Sequence, residues 1–242
     1  IGGIGAAWWK YDHYTHHAVT NVIQQDPSAG SIPVLYMSER QVEAHEKADF
    51  GGKLPSFVNL AIKYQMYTYT PLCLLVARFN LHLISVSKRD LPYMIGHFIY
   101  LYGLLSQLPT QADAILVYMV ANVVMSMLHI QLNVNHYRND MYTDEERGKN
   151  GFFRHQLATT TNVKTTWWHD WYHGGLQYQV EHHLFPLLAR PHLREVSRMV
   201  KQLAKEYSIP YHEGDWLGLQ WECIAVLTRV AKWFNKRTSK AE

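Results

Sequence analysis

The amino-acid sequence predicts an all-α fold built around a membrane hairpin. Three features carry that expectation: two adjacent uncharged runs, two histidine clusters with helical spacing, and an amphipathic tail. Between Asp90 and Asp113 no Lys, Arg, Asp or Glu occurs, and none occurs from Ala114 through Tyr137. These runs hold 22 and 24 residues. A helix rising about 1.5 Å per residue needs roughly 20 residues to cross the hydrocarbon core. Spans are therefore expected near 91–112 and 114–137, with Pro109–Asp113 as the tight turn between them. Two buried helices of a soluble protein are the competing reading, with which His97, Gln107 and Asn122 inside the runs are compatible. Lys88 and Arg89 precede the first run and Arg138 follows the second, while the turn has neither Lys nor Arg. That asymmetry places both outer ends on the cytosolic side.

The remaining elements follow from local pattern. Tyr64–Val86 is apolar and aromatic but holds Arg78, which predicts an amphipathic segment in the membrane interface, with a tilted span as the alternative. Asp26–Pro33 and Glu39–Pro55 read as loops. Pro191–Tyr207 sets Leu193, Val196, Met199, Val200 and Leu203 on one helical face, and Pro191 suits a first turn. A second tail helix is expected over Trp216–Phe234. Residues 1–190 are thus read as a membrane domain and 191–242 as its cytosolic C-terminal helices.

Composition narrows the function classes. Hydrophobic residues make up 48% and charged residues 18%, which supports a packed core and argues against disorder. The formal charge of +3 comes without a basic block interleaved with aromatics, so nucleic acid is not an expected partner. Cys73 and Cys223 stand far apart without a CxxC spacing, which fits a reducing compartment or lipid. The chain starts at Ile1, and Ile1–Ala7 lacks the charged start and cleavage site of a signal peptide, so it reads as truncated at the N-terminus.

The histidines carry the chemistry. His13-Tyr14-Thr15-His16-His17 and Gln179-Val180-Glu181-His182-His183 both place polar or ligating groups at i, i+3 and i+4. Those positions lie on one side of a helix, a few ångströms apart. Neighbouring neutral imidazoles are hard to justify as packing, because each buried ring nitrogen needs a partner, and a metal satisfies them together. Two crossings of the membrane between the clusters return both to the cytosolic side, where they can share a site. His136, next to Asn135, sits where the second span emerges and can join them. His129, seven residues earlier, points along a similar face, and an intrahelical hydrogen bond is its preferred role. Imidazole suits zinc, copper, iron or nickel. Five histidines plus His136 exceed one tetrahedral ion, so two metals are the economical reading, and a pair of irons at a membrane surface points to oxygen activation on a lipid chain. HExxH, GxSxG, P-loop and GxGxxG motifs are absent, which leaves hydrolase, kinase and nicotinamide-binding readings without their chemistry.

With these residues in hand, the sequence resembles the front-end desaturases, membrane fatty-acid and sphingolipid desaturases that usually carry a fused cytochrome b5-like domain. The resemblance rests on Trp8–Asn21 (WWKYDHYTHHAVTN), Tyr64–Leu81 (YQMYTYTPLCLLVARFNL), His129–Tyr137 (HIQLNVNHY) and Trp171–Pro186 (WYHGGLQYQVEHHLFP), in order from Ile4 to about Tyr211. The last segment holds the Q-x-x-H-H variant, in which Gln179 stands where other membrane desaturases have histidine. The resemblance implies an integral membrane helical desaturase fold with a cytosolic di-iron histidine site, in the endoplasmic reticulum membrane, with one of the usual two transmembrane hairpins present. It implies that His13, His16, His17, His182 and His183 ligate two iron ions, that His136 matches the additional histidine, and that Gln179 is a site residue whose direct ligation stays open. The implied reaction removes two hydrogens from a fatty acyl or sphingoid long-chain base with O2, using electrons from cytochrome b5.

No H-D-x-x-H box precedes His13 and no His-Pro-Gly-Gly haem motif occurs in these residues, so the chain is expected to be a C-terminal piece, inactive alone, with the missing parts upstream. Histidines 45, 82, 97, 155, 169, 173, 192 and 212 match no ligand position. His169, His173, Asp12, Asp170 and Glu181 are candidates for supporting the ligands, and Asn135 and His129 are candidates for ligating a metal or for supporting its ligands. A membrane di-iron lipid hydroxylase and a metal-free non-catalytic homologue are the alternatives.

Overall fold

A computed structural model describes residues 3–30, 35–167 and 169–240. The chain order is α1 (Ala6–Ala18), a 3-10 turn (Ser28–Gly30), α2 (Glu39–Asp49), α3 (Ser56–Leu75), α4 (Ala77–Ile84), α5 (Leu91–Leu105) and α6 (Gln111–Val134). It continues through α7 (Asp144–Thr159), β1 (Asn162–Val163), α8 (Asp170–His173), α9 (Gln179–Leu184), α10 (Arg190–Glu206), β2 (Glu213–Gly214) and α11 (Trp216–Thr238). The expected all-α class is what folds. The exception is a two-residue parallel pairing of β1 with β2, which ties the segment before α8 to the one before α11.

Three apolar clusters hold the helices. Tyr69 and Cys73 of α3, Ile130 and Val134 of α6, and Leu219, Cys223 and Leu227 of α11 form the first. Val42 of α2, Val58 and Ile62 of α3, and Val230 and Phe234 of α11 form the second. Leu157 of α7, Val180 and Leu184 of α9, and Val200 and Ala204 of α10 form the third, which seats the short α9. Both cysteines are buried and free. α10 and α11 lie where the tail periodicity put them.

The hairpin differs from its expected bounds. Thr110 caps α6 by accepting the Asp113 N–H at 3.1 Å, so α6 starts at Gln111. Ser106 and Gln107 turn their side chains back onto the Gly103 carbonyl at 2.9 and 3.3 Å, and α5 stops at Leu105. α6 is long and apolar enough to cross a membrane, whereas α5, at 15 residues, is apolar but shorter. The turn therefore lies at 106–110. Glu39–Pro55 is also corrected: Glu39–Asp49 is helical, because Ser38 accepts the Gln41 N–H at 3.0 Å and starts it. Val42 is its one buried residue, so no apolar stripe announced it. Asp26–Pro33 contains the 3-10 turn, and its residues 31–33 lie outside the described residues.

α3 is apolar on two sides. Val58, Ile62, Gln65, Tyr69 and Cys73 are buried, while Phe57, Leu60, Tyr64, Tyr67 and Leu75 are exposed on the other side. α5 and α6 likewise expose Tyr93, Ile99, Tyr102, Ile115, Leu116 and Val120. Three helices thus carry large apolar side chains on their exposed sides.

Candidate metal centre

The site forms where α1, the end of α6, α7 and α9 meet. α1 is fixed at its start by a residue distant in sequence: Asp90 accepts the Ala7 N–H at 3.0 Å and the Trp8 N–H at 3.1 Å, satisfying two donors that the helix leaves open. Gly5 allows this approach, since a Cβ there would stand 2.3 Å from the Ser85 carbonyl oxygen. α9 is fixed at its start by Asn162, whose Oδ1 accepts the Val180 N–H at 2.8 Å and whose Nδ2 donates to Glu181 at 2.7 Å.

The six histidines divide into two trios. His13, His17 and His182 bring their Nε2 atoms to 3.1, 3.1 and 3.2 Å of one another. Each such nitrogen offers one N–H or one lone pair, so three of them cannot all be paired with each other. An imidazole nitrogen sits about 2.0–2.1 Å from a first-row metal, and nitrogens sharing one ion at roughly 90–110° lie about 2.9–3.4 Å apart. The trio fits a shared ion. His16, His136 and His183 form the second trio, all buried, with ligand atoms within 4.8 Å of one another. The rings of His17 and His183 stack at 4.1 Å between centroids, so the trios are adjacent.

Each histidine cluster is split between the trios. In the first, the i and i+4 members, His13 and His17, enter one trio and the i+3 member, His16, enters the other. In the second, the i+3 member, His182, joins His13 and His17, while the i+4 member, His183, joins His16. The i member, Gln179, follows His183 and places its Nε2 3.4 Å from His136 Nε2. The expectation of three groups on one side of a helix thus resolves into two directions. His136 supplies an imidazole beside the position that Gln179 occupies.

The second trio is oriented by hydrogen bonds from the ring nitrogens that face away from it. His16 Nδ1 donates to Asp26 at 2.9 Å, His136 Nδ1 to the Thr159 carbonyl at 3.1 Å, and His183 Nδ1 to Gln156 Oε1 at 2.9 Å. With Nδ1 protonated, each Nε2 keeps its lone pair for a metal. His183 Nε2 is buried without a partner, as is Gln179 Oε1. Gln156 also donates to the His17 carbonyl at 2.8 Å, which ties α7 to α1.

Burial keeps the rings of His13, His17, His136, His182 and His183 neutral. Burial, reinforced by neighbouring imidazoles, lowers His13 and His182 to about 4, His136 to about 3 and His17 to about 2. The same causes hold His183 well below the ordinary imidazole range. Burial pushes the Asp26 carboxyl up, but His16 and the Asn21 N–H outweigh it and leave it below the usual carboxylate value. Neutral imidazoles with a nearby carboxylate are what a cation requires.

The other anticipated residues fall around this centre. Asn135 donates to the Leu176 carbonyl at 2.8 Å and accepts from Gln131 at 3.3 Å, pinning the loop before α9. His129 faces a cavity beside the site, and its Nε2 has no partner. Asp12 accepts from Ser28 at 3.4 Å. Asp170 pairs with Arg194. Glu181 is held by Asn162 and by Tyr211 at 2.7 Å, and burial raises its carboxyl. His169 stands 3.3 Å from Thr166, and His173 Nδ1 is buried without a partner. Besides Gln179, the described side chains and carbonyls that hydrogen-bond the site histidines include Asp26, Thr20, Gln156 and Thr159, none of which was anticipated from the sequence. No spacing rule marks them, since they reach the rings through tertiary approach.

A cavity of about 200 Å³ opens against the trios. Its walls include His13, His16, His136 and Gln179 together with the apolar Ile4, Trp8, Leu81, Met125 and Leu132.

Comparison with known proteins bears on this geometry. The family described as fatty acid desaturase matches residues 1–215. The chain is 36% identical over 225 residues to a Delta(8)-fatty-acid desaturase of Helianthus annuus, covering 87% of this chain and 48% of that protein. It is 35% identical over 246 residues to Delta(8)-fatty-acid desaturase 2 of Arabidopsis thaliana, covering 96% and 53%. It is 29% identical over 253 residues to a Delta 8-(E)-sphingolipid desaturase of Emericella nidulans, covering 96% and 46%. The chain spans about half the length of these relatives. No solved structure matches it.

Proposed function

The chain belongs to the fatty acid desaturase family, and from that premise we propose that the complete protein introduces a double bond into a fatty acyl or sphingoid chain at a pair of irons. His13, His17 and His182 would hold one ion; His16, His136 and His183 would hold the other, beside Gln179. The observation that carries this reading is the crossed pairing of the two histidine clusters, which, with His136 just past α6, builds two adjacent sites. When bound, the irons supply the O2-dependent oxidation that unactivated C–H bonds demand and that acid–base side chains cannot provide.

The chain's own residues supply binding and orientation. The apolar part of the cavity, from Ile4 and Trp8 to Met125 and Leu132, suits a hydrocarbon chain laid beside His16 and His136. Holding one methylene pair there is what selects the bond to be desaturated. Asp26, Gln156 and the Thr159 carbonyl take the Nδ1 protons of the second trio and so leave each Nε2 lone pair for a metal. Electrons come from cytochrome b5 in this reading, fused upstream as the front-end resemblance implies.

In this reading the protein lies in the endoplasmic reticulum membrane with the site towards the cytosol. Support comes from α6, from the exposed apolar sides of α3 and α5, and from Lys88, Arg89 and Arg138 at the outer ends of the hairpin. Expressing the complete protein in yeast and profiling fatty acids and long-chain bases tests the reading. A new double bond supports it; an added oxygen, or no change, overturns it.

A further inference from the structure

Each outward-facing Nδ1 of the second trio has a partner, and for His16 that partner is the Asp26 carboxylate. The first trio is held differently. Among the described residues, the hydrogen bonds of His13 and His182 run through Nε2 alone, within the trio. His17 Nδ1 is buried without a partner, enclosed by this chain's own atoms. When His17 turns an Nε2 lone pair to an ion, the ring proton sits on Nδ1 and has nothing to donate to. A ring contact stands in for the missing bonds. Trp9, four residues before His13 on α1, stacks on its ring at 4.8 Å between centroids and 17° between planes. Stacking fixes the plane of an imidazole, but unlike a bond from Nδ1 it neither selects the tautomer nor raises the basicity of Nε2.

We propose that the two ions are held unequally: the ion of His13, His17 and His182 is the weaker-bound one, and Trp9 is the positioning residue that keeps His13 turned towards it. This rests on the di-iron reading above. Removing one outer partner of a metal-bound histidine typically costs about 10–100-fold in metal affinity. The second trio has three such partners, on His16, His136 and His183. The ions therefore load in order, the second trio before the first. Falling iron supply empties the first trio while His16, His136 and His183 keep their ion, so the complete protein passes through a defined one-iron form.

The test is a chelator titration of the complete, iron-loaded protein, read as iron content and as the Mössbauer spectrum of the iron that remains. Wild type is expected to lose its irons in two steps, at chelator concentrations at least about tenfold apart, with a single iron environment between them. Trp9→Leu should move the earlier step about tenfold lower and leave the later one in place. Trp9→Phe, which can still stack on His13, should restore it, and Trp9→Met takes the place of the leucine variant if that does not fold. Asp26→Asn, which weakens the hold on His16, should move only the later step, towards the earlier one. Both irons leaving in one step, or Asp26→Asn moving the earlier step, would overturn the unequal sites. An earlier step unmoved by loss of the Trp9 ring would overturn the role assigned to Trp9. Wild type that takes up no iron would overturn the di-iron reading itself.

Discussion

His182 and His183 are adjacent in the chain yet face different imidazole trios: His182 meets His13 and His17, whereas His183 stands with His16 and His136. Neighbouring positions on a helix differ by about 100° in direction, so one turn of α9 can serve two ions at once. Replacing either residue should therefore damage a different ion. In the complete protein, His182→Ala and His183→Ala are each expected to lower iron from about two per chain to about one and to abolish desaturation. Elemental analysis of the two variants checks this, and unchanged iron in either would remove that residue from the ligand set.

Asp26 holds the Nδ1 of His16 and also accepts the Asn21 N–H at 2.7 Å. Losing such a partner typically weakens metal affinity about 10–100-fold. Asp26→Leu should fall at the upper end of that range and Asp26→Asn at the lower, because an amide oxygen still accepts the His16 proton. Chelator competition on the purified protein measures it.

Protons compete with metal for the same nitrogens. His13 and His182 are held at about 4 against an ordinary value of 6.5. Between those two values the unfolded chain binds more protons than the folded one, so folding stability rises with pH across that window. The metal-free protein should have full stability above about pH 6.5 and lose it progressively as pH falls towards about 4. Denaturant midpoints at three pH values across the window check the sign, and a midpoint that rises on acidification would contradict it.

Asn162 joins three groups: the Val180 N–H, the Glu181 carboxylate and the Tyr211 hydroxyl. Asn162→Ala leaves Glu181 buried with one of its partners gone, at a cost of about 1–3 kcal/mol. Because α9 carries both His182 and His183, the variant is also expected to lose both ions together. Thermal unfolding and iron content, measured in parallel, separate this from a general loss of fold: Asn162→Ser, whose hydroxyl adds no charge beside Glu181, should recover part of the metal.

Much of this centre was legible in the sequence, and the boundary has a physical meaning. The i, i+3, i+4 spacing of His13, His16 and His17 shows that a helix can bring them together. Which ring joins which trio depends on how α1 and α9 are held, and that is set by contacts far apart in sequence, such as Asp90 with Ala7 and Asn162 with Val180. Asp26, Gln156 and Thr159 carry no spacing signature and were invisible for the same reason. α2 went unread because Val42 alone faces the core, and the uncharged run after Asp90 overstated α5 because absence of charge does not mark where Ser106 and Gln107 end a helix.

The most direct test of the crossed histidine arrangement is an iron count on the complete purified protein, made for wild type and for the pair His17→Ala and His16→Ala. The account predicts about two irons in wild type and about one in each variant, with the remaining ion in a different environment in each by Mössbauer spectroscopy. One iron in wild type, or the same remaining ion in both variants, would contradict it.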